Sequence, residues 1–166
     1  MWQRVAERAP LHRKGLASAL VTHSIRLAES GQTHDAVESI QSAVRLWSEL
    51  AAQAPVYRAN YASALHNLAI QMAEVGQTDE AISAATEAVA LFERLSEQYE
   101  ETYGLSLSSA RALYGALLGV IDKPRADREL SQARSFVERI DRRATTQHPH
   151  QVQVIRDLAE RLVGLV

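Results

Sequence analysis

The chain has 166 residues, enough for one domain or a short repeat array, and 46% of them are hydrophobic. Its 18 Lys and Arg interleave with 20 Asp and Glu for a net charge of −2, so no basic stripe argues for nucleic acid. With no cysteine, disulfides, thiolate metal sites and cysteine nucleophiles are excluded together, and no uncharged apolar run is long enough to span a membrane. Alanine, leucine, glutamate, glutamine and arginine dominate, a mixture that favours helix because unbranched side chains lose little rotamer freedom there. The opening Met1-Trp2-Gln3-Arg4-Val5 lacks a signal-peptide core, and a cytoplasmic address is expected.

The predicted elements begin with the last turns of a helix over residues 1–9. A long helix follows from about Pro10 to Ser30, with Leu16, Ala19, Leu20, His23, Leu27 and Ala28 on one stripe. Proline suits its first turn, where the missing N–H would have no helical partner. Gly31 closes the helix as a residue free to take positive φ, and Thr33 is the expected N-cap of the next. That second helix carries Ala36, Val37, Ile40, Ala43, Val44, Trp47 and Leu50 along one face. The same sentence of residues then restarts at Pro55, turns at Gly76, and resumes at Thr78, where Asp79 and Glu80 complement a helix N-terminus. A third pair turns at Ile121-Asp122-Lys123-Pro124 without glycine, and either Tyr114 or Gly115 fills the small position of its first helix. Beyond it, His148-Pro149-His150 reads as a polar linker before a terminal helix.

Sliding the sequence against itself by 45 residues makes the repetition explicit. Of the 45 pairs formed by laying 9–53 on 54–98, 19 are identical, which chance does not explain. Ala17-Ser18-Ala19-Leu20 falls on Ala62-Ser63-Ala64-Leu65, and Gly31-Gln32-Thr33 on Gly76-Gln77-Thr78. The step continues more faintly outward, from Trp47 back to Trp2 and from Ala81 and Ala88 forward to Ala126 and Ala133. A single array is expected: a partial repeat over 1–9, repeats over 10–54 and 55–99, a degenerate repeat over 100–144, and a terminal helix over 145–166. Neither helix of a pair can bury its stripe alone, so neighbours must stack. The chain therefore reads as all-α, a solenoid of antiparallel helix pairs with seven to eight helices.

The run Leu65-x-x-Leu68-Ala69-x-x-Met72, then Gly76, Ala81 and Ala88, resembles the tetratricopeptide repeat. The first unit fits the same pattern with Leu20, Ser24, Leu27, Gly31, Ala36 and Ala43, and departs from it at His23. The family's period is about 34 residues, and this one is longer by almost three whole helical turns, which keeps the buried faces aligned. The chain is thus similar to the long-helix branch of the family, such as kinesin light chain repeats and bacterial arrays appended to signalling ATPases. The resemblance implies a right-handed solenoid whose first helices line a concave, partner-binding groove. Matching turns of those helices place Ser18, Val21, Thr22 and Ile25 in one unit, and Ser63, His66, Asn67 and Ile70 in the next. The family's carboxylate-gripping groove needs lysines and asparagines, of which only Asn67 is present; Val21 and Ile25 occupy positions that would need them. Small and β-branched residues suit an apolar or helical segment instead.

Little in the sequence argues for catalysis. His148 and His150 lack a third metal ligand at suitable spacing, and neither phosphate-binding glycine motif is present. Trp47 and Phe92 occupy equivalent positions that read as core. Glu29 and Glu74 also occupy equivalent places near two turns; paired carboxylates can share a proton or hold a cation, but two solvated glutamates are the simpler reading. The expectation is a non-enzymatic protein–protein interaction scaffold, part of a larger protein, with no cofactor, catalytic residue, metal, nucleic acid or membrane in its function. The alternative is a self-associating element, a homodimer through its truncated ends. Light scattering separates the two, since a tight dimer favours the second.

Overall fold

The computed structural model describes residues 2–119 and 121–144, together with Gln153. Among them are six α-helices and no strand: α1 (Trp2–Glu29), α2 (Thr33–Gln53), α3 (Arg58–Glu74), α4 (Thr78–Gln98), α5 (Glu100–Leu118) and α6 (Lys123–Ala144). A single 3-10 turn, Pro55–Tyr57, leads into α3. None of the described helices is long and apolar enough to cross a membrane. The terminal helix expected over 145–166 lies, Gln153 apart, outside the described residues.

The chain divides into two compact units, the first ending at Ala84 and the second beginning at Ala85, within α4. In the first, α1 packs on α2 and α2 on α3. Gly31 ends α1 at φ +79°, and its N–H donates to the Ala28 carbonyl at 2.9 Å while Gln32 N–H donates to Leu27 at 2.9 Å. Gly76 and Gln77 repeat the arrangement after α3, at φ +77°, on the carbonyls of Ala73 and Met72. These paired bonds satisfy carbonyls that a helix end would otherwise leave open, in a conformation that glycine adopts without a Cβ penalty. The core of this unit gathers Ala17, Ile40, Ala43, Trp47, Leu50 and Ala64, flanked by Leu20, Val21, Tyr57 and Leu68. Trp47 meets the Tyr57 ring at 5.9 Å between centroids, and Ser39 Oγ donates to the Leu20 carbonyl at 3.1 Å, tying α2 to α1. The alanines at equivalent positions, Ala36, Ala43, Ala81 and Ala88, are all fully buried.

In the second unit α5 packs on α6 around Ala112, Leu130, Ala133 and Val137. Gly115, not Tyr114, fills the small position against α6: a Cβ there would meet Leu130 Cγ at 2.8 Å and the Ala126 carbonyl at 3.1 Å. Tyr114 is nonetheless buried one residue away, with the Arg125 guanidinium over its ring at 5.2 Å. The glycine-free turn has its own solution. Asp122 caps α6 by accepting the Arg125 N–H on Oδ1 at 3.1 Å.

Two local expectations are corrected. No helix starts at Pro10; α1 runs through it from Trp2, whereas the equivalent Pro55 follows an extended Ala54. Proline removes one hydrogen bond from a helix but its fixed φ is helical, so strong helix formers on both sides can carry the helix past it. Thr33 is not an N-cap. It is already inside α2, and the cap position is Gln32, whose carbonyl accepts the first helical bond from Ala36 at 3.0 Å without side-chain help.

Candidate functional site

The helices α1 and α3 of the first unit bring together three of the eight residues expected to face a partner. Ile25 on α1 and Asn67 and Ile70 on α3 line a groove of about 340 Å³, joined by Ala28, Glu29, Gln71 and Glu74. On α3 these are positions i, i+3, i+4 and i+7, and on α1 positions i, i+3 and i+4, so each set occupies one helix face. Ile25 and Ile70 remain 40% and 36% exposed; the unit's other exposed large aliphatic residues, Leu16 and Val56, lie outside this groove.

The other five take different places. Val21 is half-buried and packs against the core around Trp47. Ser18, Thr22 and Ser63 are exposed, but Thr22 Oγ1 donates to the Ser18 carbonyl at 3.2 Å and Ser63 Oγ to the Ala59 carbonyl at 3.0 Å. The Thr22 and Ser63 hydroxyls are thereby turned back onto their own helices. His66 is half-buried with Nδ1 cut off from solvent and without a hydrogen-bond partner. Burial lowers its pKa to about 4, so the imidazole is neutral near pH 7.

Gln71 is the residue that the sequence did not single out. It is 4% exposed, and its Nε2 donates at 3.2 Å to Ser24 Oγ, which in turn donates to the Val21 carbonyl at 2.8 Å. This chain of polar contacts bolts α3 to α1 beneath the groove. The Gln71 Oε1 is buried and has no donor. The signal was its place on the same face as Asn67, Ile70 and Glu74, but a lone glutamine in a repeat carries no chemistry that would mark it. Glu29 and Glu74, read from sequence as two solvated side chains, are exposed and end their helices in the same groove.

The second unit holds a wider depression of about 670 Å³ among α4, α5 and α6. Its Arg111 Nη2 pairs with Glu93 Oε1 at 2.8 Å, and its Nε lies 3.6 Å from Glu129 Oε2. Burial raises the Glu129 carboxyl above the ordinary range, and the nearby Arg111 guanidinium partly offsets that shift. Phe136 lies over Gly104, where a Cβ would come within 2.1 Å of the ring. These charges are mutually paired and read as structure. Among the described residues no group of three or more His, Asp or Glu is placed to hold a metal ion.

Compared with known proteins, the chain matches no family model, no curated protein and no solved structure.

Proposed function

We propose that the chain is a non-catalytic interaction module, which receives a peptide or helical segment of another protein in the groove between α1 and α3. On this reading it belongs to a right-handed, tetratricopeptide-like solenoid of seven to eight helices, with a cytoplasmic address. One observation carries the proposal: Ile25 and Ile70, equivalent residues of successive repeats, both stay exposed and wall one groove. Partially exposed aliphatic side chains on a rigid helical frame are what an apolar anchor from a partner would fill. The helices are held from below by the Gln71–Ser24 contact and by the packing of both on α2, so the groove is formed before a partner arrives.

Affinity capture from the source cell tests this, comparing the wild type with Ile25→Asp/Ile70→Asp. Both residues are exposed, so helicity is expected to persist while captured partners are lost. Recovery of the same partners by the double variant places the binding surface elsewhere.

A further inference from the structure

The chemistry of the groove specifies more than an apolar anchor. Its two walls end at Glu29 and Glu74, each the last residue of its helix, so both carboxylates lie at one end of the groove. Neither has an ion-pair partner among the described residues, although the unit contains other paired carboxylates such as Glu49 with Arg13. Between the isoleucines and the Glu29 and Glu74 carboxylates stands Gln71, more than nine-tenths buried, with an acceptor oxygen that no donor satisfies. Two unpaired carboxylates at the end of an apolar groove describe a site that lacks positive charge.

We infer that the groove is built for a basic amphipathic segment of a partner protein, with an aliphatic side chain between Ile25 and Ile70 and a lysine or arginine between Glu29 and Glu74. The inference rests on the interaction-module reading above and adds the chemistry of the occupant. Ile25 to Glu29 is one helical turn, as is Ile70 to Glu74, so anchor and cation must be about 6 Å apart. That spacing corresponds to positions i and i+4 of a docked helix, or i and i+2 of an extended strand. An acidic segment would face two unpaired carboxylates, and like charge disfavours it. A purely apolar segment would cover the groove and leave both carboxylates at its end without a counter-charge.

A random peptide library displayed on phage, selected on the full chain, tests the assignment. Enriched peptides are expected to pair an aliphatic residue with Lys or Arg at one of those spacings. Fluorescence anisotropy of the synthesised peptides should show about tenfold weaker binding to Glu29→Gln/Glu74→Gln, and similar weakening with added salt. Replacing the peptide's basic residue by methionine should cost as much, and the two changes together little more than either alone. Circular dichroism of the glutamine variant should match the wild type, since both side chains are exposed. Peptides that Ile25→Asp abolishes, but that lack a basic residue or ignore Glu29→Gln/Glu74→Gln, overturn the basic occupant and leave the interaction module standing. Selection that yields only peptides indifferent to both Ile25→Asp and Ile70→Asp overturns both. A dimer in sedimentation that Ile70→Asp dissociates would put a second copy in the groove, and overturns the basic partner as well.

Discussion

At the scale of single residues the chain's most exposed liability is a histidine. His66 titrates at about 4 because burial penalises its charged form, whereas an unfolded chain would protonate it near 6.5. The unfolded state therefore takes up a proton first as the pH falls, and folding stability declines from about pH 6.5 until the loss is complete below about pH 4. That loss amounts to at most roughly 3 kcal/mol. The repeat itself offers the control, since Val21 occupies the equivalent position in the preceding unit. His66→Val should flatten this part of the pH dependence, read as the urea midpoint at the two ends of the window. Parallel acid curves for the two proteins would show that His66 does not set it. The sequence placed His66 among groove residues by its helical phase, whereas it does not line the groove between α1 and α3. What the sequence lacked was the depth of burial, which depends on how closely other helices approach and not on helical phase.

At the scale of elements, the turns were the most legible feature and the helix starts the least. Gly31 and Gly76 could be read as helix stops because a positive-φ end has a strong residue preference, and both take that conformation. Pro10 and Thr33 were misread because proline and threonine are tolerated in several first-turn positions, leaving the boundary to packing and flanking propensity. The turns allow a clean experiment, because a Cβ added at Gly76 would meet nothing within 4 Å. Any cost of Gly76→Ala is thus backbone strain alone, about 1–2 kcal/mol for a left-handed conformation. Gly76→Asn should recover part of it, since asparagine tolerates that region better. Thermal melts that rank alanine equal to glycine would contradict the observed φ of +77°.

At the scale of the whole molecule the all-helical architecture followed from composition and a 45-residue repeat, but the division after Ala84 did not. The repeat places no boundary inside α4, whereas the density of contacts does, and contacts are not visible in periodicity. Each unit has a core of its own: Ile40, Trp47 and Leu50 with their alanines in the first, and Leu130 and Val137 with theirs in the second. Helical arrays of this kind draw stability from each element and its immediate neighbours, so damage should stay local. Ile40 is fully buried, and Ile40→Ala should cost about 2–5 kcal/mol through lost contacts and a residual cavity. Native-state amide exchange followed by mass spectrometry then reports where that cost falls. Exchange in α1, α2 and α3 should accelerate sharply, while α5 and α6, which pack on one another around a separate core, should keep most of their protection. Equal acceleration in all of these helices would mean that the chain opens as one cooperative unit, with its two cores acting as one.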